Sequence, residues 1–233
     1  MNGPGSDGET RGSVLLVGRG AGSGPLPGPG GFRLLARALT LAALPKRARV
    51  LDVGCGTGEA VRYMREALGL KAIGIDRASA PSFPKSGVRA DGCMLPVRDR
   101  AVDAVLLSCV LSAAADPGGI LVESARVLVP GGRLIVLDLF GRAREEEARH
   151  AEAGKVPVPG WLGGVGVQGF EMLAWEDHSA VLREYVARYV LEEGPVANLL
   201  ERIAASGGNF CRGAGSEGPL KLGYCLLVAR RTS

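Results

Sequence analysis

The feature that most constrains this chain is the run Val50-Leu51-Asp52-Val53-Gly54-Cys55-Gly56-Thr57-Gly58, taken with the helix and strand next in the chain. A short apolar strand, Arg49 to Val53, enters a turn with glycines at alternate positions, and helical spacing begins at once, from Glu59 to Leu68. Glycine tolerates positive φ and, lacking Cβ, lets a ligand lie against the backbone. The first helical turn offers that ligand unpaired N–H groups and the positive end of a dipole. Eighteen residues beyond Gly58, a second strand, Ala72 to Ile75, runs into Asp76, whose carboxylate can accept hydrogen bonds from both hydroxyls of a ribose. This order of parts points to an α/β sheet with a nucleotide-like ligand over its strand ends.

The remaining pattern agrees. Phe32 to Leu44 has helical spacing and stops at Pro45, Val88 to Ala90 is a brief third strand, and Val102 to Leu107 a strongly apolar fourth. A helix from Ile120 to Val129 ends at Pro130-Gly131-Gly132, and Arg133 to Leu139 forms a fifth strand. Near-continuous apolar runs between helices predict a parallel sheet covered on both faces. After Phe140 the reading is a charged helix at Arg142 to Ala153 and a Pro/Gly-rich loop at Val156 to Gly169. It continues with a strand at Phe170 to Trp175, helices at Ala180 to Leu191 and Pro195 to Ala205, and a last strand at Leu222 to Ala229.

Two cofactor classes use such a turn. A dinucleotide site prefers G-x-G-x-x-G, but the spacing here is G-x-G-x-G, with Glu59 where the third small residue would stand. That disfavours an NAD-dependent oxidoreductase. Asp52, just before the turn, suits a ligand carrying a positive amino group.

In combination, residues 50–58, Gly74-Ile75-Asp76, Ala90-Asp91-Gly92-Cys93-Met94-Leu95-Pro96, Val102-Asp103-Ala104-Val105 and Leu128-Val129-Pro130-Gly131-Gly132-Arg133-Leu134 resemble the successive motifs of class I methyltransferases. The small-molecule branch, similar to the ubiquinone/menaquinone methyltransferases, is the nearest in pattern. The resemblance runs from about Phe32 to Asp138 and implies S-adenosylmethionine as cofactor and a small-molecule acceptor. It implies a Rossmann-like doubly wound sheet, mostly parallel with an antiparallel last strand; the long span between Trp175 and Leu222 departs from that family's short hairpin and reads as a helical insertion before the last strand. Asp52 and the backbone of Gly54, Cys55, Gly56 and Gly58 would hold the methionine part, and Asp76 the ribose hydroxyls, with Arg77 beside it. Asp91 would meet the adenine amino group, Gly92 and Cys93 would add backbone contacts, and Ser108 would lie beside the sulfonium. Asp103 is expected only to cap or pair locally. Ser108-Cys109-Val110-Leu111 stands where enzymes acting on exocyclic base nitrogens carry a Pro-Pro-aromatic motif, which argues against DNA as acceptor.

No catalytic base announces itself, and alignment of donor and acceptor can supply much of the rate. His178 and Cys211 are the weak candidates for a role in chemistry. A binding or regulatory module without catalysis is the alternative, since fold does not fix function.

Composition sets the outer bounds. The 36 glycines crowd residues 1–31, 160–169 and 207–218, so residues 1–31 read as a flexible Gly/Pro-rich arm and 32–233 as one domain. The long span before the last strand places the expected substrate cap within residues 140–221. A net charge of +4 without a basic cluster gives no support for nucleic-acid binding. The five cysteines lack C-x-x-C spacing, so neither a metal site nor a disulfide framework is expected. No secretory signal opens the chain, and the run Ala104 to Ala115 falls short of the roughly 18–20 residues that span a bilayer. A reducing, cytoplasmic location is the resulting expectation.

Overall fold

The structure, a computed structural model, describes residues 28–77, 87–141, 161–192, 194–195 and 222–232. Seven strands form one sheet in the order β3-β2-β1-β4-β5-β7-β6. They are β1 (Arg49–Val53), β2 (Lys71–Asp76), β3 (Val88–Arg89), β4 (Val102–Ser108), β5 (Leu128–Gly141), β6 (Phe170–Asp177) and β7 (Leu222–Arg231). β1 to β5 pair in parallel, and β7 lies antiparallel between β5 and β6, so that β6 again runs with the others. Among the described residues the helices are α1 (Gly31–Ala42), α2 (Glu59–Glu66), α3 (Pro117–Val127), α4 (Leu162–Val167) and α5 (Ser179–Glu192).

Successive strand residues face opposite sides, and the sheet buries both. On one side Val50, Ala104, Leu106, Ile135, Leu137 and Leu226 pack with α1, α2 and α5. On the other Leu51, Val105, Leu107, Val136 and Leu227 pack with α3 and α4. β4 is deeply enclosed, with Ala104 to Leu107 fully buried. Its apolar run, read from the sequence as a strand covered on both faces, has that environment.

The strands expected from the sequence are all present, most extended by a residue or two. β5 departs most: it takes in Leu128 to Gly132, where a helix end and a turn were expected. The Pro-Gly-Gly segment sits in a strand with an irregular register against β4, and Gly131 has φ 75°. α3 begins earlier than the apolar spacing indicated, because Asp116 accepts the Gly119 amide at 2.9 Å as an N-cap and Pro117 fills the first helical position. The loop expected at Val156 to Gly169 contains α4, a helix made largely of glycine and valine. Propensity opposes it, and packing overrides: the Trp161 indole donates to the Leu139 carbonyl at 3.0 Å and Val165 is buried. The helices expected at Arg142 to Ala153 and Pro195 to Ala205 lie outside the described residues, apart from Pro195. Among the described residues no helix is long and apolar enough to cross a membrane.

Candidate active site

The C-terminal ends of β1 and β4 open into a cleft of about 820 Å3, solvent included. Its floor is the turn after β1. Gly54, Gly56 and Gly58 adopt φ of 77°, 52° and 77°, which is why the turn needs glycine at alternate positions. The turn is tied to β2: the Gly54 and Cys55 amides donate to the Ile75 carbonyl at 2.7 and 3.1 Å, and the Gly56 amide to the Asp76 carboxylate at 2.9 Å. β2 approaches closely because Gly74 has no side chain; a Cβ there would stand 2.5 Å from the Cys55 sulfur.

Asp52 lies at the base of the cleft, 2 % exposed, and its Oδ2 has no hydrogen-bond partner. Burial, and then the nearby Asp76 charge, push its carboxyl up to about 7. An unsatisfied buried carboxylate is costly. A ligand ammonium would relieve it.

The structure brings Asp52, Gly54, Cys55, Gly56 and Ser108 together in the cleft wall. Gly58 caps α2 behind the turn, and Asp76 lies buried beneath it. Arg77 is exposed and its carbonyl accepts from Arg89 at 3.1 Å. Asp91 is exposed and accepts the Cys93 amide at 2.8 Å, and Gly92 is buried against Val53 and Ile120. Cys93 is exposed, and burial of its sulfur with the Asp91 and Asp116 charges raises its thiol to about 11. These four do not line the cleft. Asp103 pairs with Arg49, accepting its amide at 2.7 Å and its guanidinium at 3.0 and 2.7 Å. Asp103 is thus paired, as expected, but across to the neighbouring strand β1 and not within its own segment. His178, also away from the cleft, sits 2.9 Å from Glu176, which is itself paired to Arg37 of α1 at 2.6 Å. Cys211 lies outside the described residues.

Several lining residues were missed. Gly28, Pro29, Gly31, Phe32 and Leu35 form a lip contributed by the start of α1. Gly28, Pro29 and Gly31 fall in the stretch read as an arm and Phe32 and Leu35 in the expected helix, and only tertiary contact draws them to the site. Glu59 was missed as well; Thr57, inside the glycine turn, and Cys109, beside Ser108, line the cleft where the sequence put them near the cofactor. Cys109 holds φ 56°, and its sulfur is 3.4 Å from the Tyr224 hydroxyl. Burial and the Asp138 charge hold its thiol well above the ordinary range. Asp138 itself, behind this wall, was passed over, although one acidic residue inside the apolar run Leu134 to Phe140 was a signal in plain view. Among the described lining residues none is His, Lys or Arg. The described residues hold no cluster of three or more potential metal ligands.

The family model described as a methyltransferase domain matches residues 51–136. A 27-O-demethylrifamycin SV methyltransferase from Amycolatopsis mediterranei is 31% identical over 218 residues, covering 81% of this chain and 79% of the relative. A demethylmenaquinone methyltransferase from Thermus thermophilus is 35% identical over 119 residues, 46% of this chain and 54% of the relative. The chain spans about half the length of the demethylmenaquinone methyltransferases it matches. Among solved structures the cyclase SpnF superposes with a TM-score of 0.62 at 23% identity, over 85% of this chain and 80% of that one, a likeness of fold.

Proposed function

The chain belongs to the class I S-adenosylmethionine-dependent methyltransferases, and from that premise we propose that it transfers a methyl group from S-adenosylmethionine to a small-molecule acceptor. The observation that carries the reading is the buried, unpartnered Oδ2 of Asp52 in the cleft beside the three-glycine turn. When bound, the cofactor supplies an electrophilic methyl group on a sulfonium. Asp52 would take its ammonium, and the turn from Gly54 to Gly58 would lie against its methionine part. Asp76 would meet the ribose, with Arg77 at its side, and Asp91, Gly92 and Cys93 the adenine. Ser108 would stand beside the sulfur. The apolar lip of Phe32 and Leu35 excludes water from that wall, and positioning supplies the rate.

The proposed acceptor cap lies within residues 140–221 and residues 1–31 are the proposed arm, and a reducing cytoplasmic location without nucleic-acid partners completes the reading. The relatives' names point to quinones and a rifamycin, so hydroxyl-bearing polycyclic compounds lead the acceptor panel.

Calorimetry with S-adenosylhomocysteine and with NAD tests the cofactor: tight binding of the first and none of the second is expected, and the reverse overturns the reading. Transfer of labelled methyl from S-adenosylmethionine to the panel tests the activity. Cofactor binding with transfer to no acceptor favours the non-catalytic module. Acceptor-induced hydrogen-exchange protection should fall within residues 140–221; confinement to 50–110 removes the cap.

A further inference from the structure

Asp138 sits inside β5 with no exposure to solvent. A carboxylate in such a place is costly unless donors surround it. Five do. Its Oδ2 accepts the amides of Val110, Leu111 and Ser112 at 3.0, 2.7 and 3.3 Å, and its Oδ1 accepts the Ser112 hydroxyl at 2.5 Å and the Leu139 amide at 2.7 Å. Three successive amides converging on one oxygen bend the chain around that atom. The bend begins where β4 ends, at Cys109, whose left-handed φ of 56° is a conformation that persists only where the surroundings over-determine it. The Cys109 amide is anchored in turn on the Leu137 carbonyl at 2.8 Å. Ser108, Cys109 and Leu137 are the residues of this corner that line the cleft.

We propose that Asp138 is a positioning residue: by gathering the 110–112 amides it sets Ser108 and Cys109 as the cleft wall against the cofactor's sulfur. The inference rests on the cofactor reading above. Asp138 touches no ligand itself. A carboxylate is required because only an acceptor-only group satisfies five donors; an amide of the same shape turns an N–H toward N–H groups.

The test compares two probes on the full chain by calorimetry. S-adenosylhomocysteine carries the sulfur that meets this wall; adenosine lacks it. Asp138→Asn should weaken S-adenosylhomocysteine by about tenfold or more while adenosine stays within about twofold. Ser112→Ala removes one of the five donors and should weaken S-adenosylhomocysteine by about two- to threefold, with Ser112→Thr restoring it. This pair serves also if Asp138→Asn does not fold. Amide exchange at residues 110–112 should quicken in each weakened variant. Equal losses for both probes, with wild-type binding intact, would mean that Asp138 only holds the sheet together. Faster exchange at 110–112 with unchanged S-adenosylhomocysteine affinity overturns the proposal as well. Wild-type protein that binds no S-adenosylhomocysteine overturns the cofactor reading, and this inference falls with it.

Discussion

The two flanks of β5 are built by different means. On one side, β1 and β2 meet through a turn whose shape comes from glycines within a few residues of one another and from hydrogen bonds to the end of the next strand. On the other, β7 is inserted antiparallel between β5 and β6, and its contacts join segments far apart in the chain. Tyr224 of β7 donates to the Leu137 carbonyl at 3.2 Å across 87 positions, and Phe140 meets Trp175 edge-on at a centroid distance of 5.3 Å. The first flank holds cleft-facing groups at some cost to stability, as the unpartnered Asp52 oxygen makes plain. The second is closed by packing. A substitution near Asp52 should therefore move ligand binding and stability together, and one near β7 stability alone.

The largest expected effect is at Asp52. Its carboxyl lies at about 7 rather than the ordinary 3.8, because the fold buries it and Asp76 repels its charge. A folded value above the unfolded one stabilises fully below the unfolded value and is lost as pH rises to the folded one. Unfolding free energy of the ligand-free protein should therefore lose about 4 kcal/mol from this group between about pH 4 and pH 7. Denaturant unfolding at several pH values should show Asp52→Asn losing that part of the slope. S-adenosylhomocysteine affinity should rise with pH toward about 7, since the ligand ammonium needs the carboxylate, and be weak and flat in the variant. An unchanged slope in the variant puts the titration elsewhere.

Next comes Asp76→Ala, which removes the acceptor of the Gly56 amide as well as the proposed ribose contact. Binding of S-adenosylhomocysteine should weaken by about 1.5–3 kcal/mol, measured by calorimetry. A loss under about 0.5 kcal/mol would detach Asp76 from the site.

The sharpest comparison is between two glycines. A Cβ at Gly74 would press on Cys55 at 2.5 Å, and one at Gly223 would clash with the Phe140 ring and approach the Ser179 hydroxyl to 2.9 Å. Gly74→Ala and Gly223→Ala should each cost about 1–3 kcal/mol of stability through overpacking. Only the first should weaken S-adenosylhomocysteine, because only it moves the turn. If Gly223→Ala weakens the ligand equally, the flanks are not independent.

The smallest effect should be at His178. Its contact with Glu176 is a single, partly solvent-exposed one, so His178→Gln should change stability by no more than about 1 kcal/mol. Methyl transfer to an acceptor found by screening should continue. A collapse of turnover with binding intact would restore His178 as a base.

Part of this was legible beforehand. β1 begins and ends where the apolar run Arg49 to Val53 does, and Asp103 is taken up in an ion pair, as expected, although its partner Arg49 lies 54 positions away on the neighbouring strand. Five of the residues expected to hold the cofactor meet in one cleft. The lip from Gly28 to Leu35 was not legible: glycine and proline up to Gly31 say only that a segment is not regular, and the helical spacing from Phe32 does not say what that helix faces. α4 was hidden for a related reason: its glycines oppose a helix, and Gly164 is tolerated where a Cβ would come within 3.2 Å of Leu121 of α3.

Between Arg49 and Asp76 the sequence by itself determined the outcome, since each step there is a local requirement: an apolar strand, positive φ at three glycines, a helix start, an acid closing the next strand. The tertiary structure alone decided that β7 enters between β5 and β6 and that α5 packs on the α1 side. It alone decided that Asp138 gathers amides 26 to 28 positions earlier in the chain, and that Glu176 reaches Arg37 across 139. Those contacts arise from how buried surfaces close around one another, and periodicity over a few residues carries no record of a partner that distant.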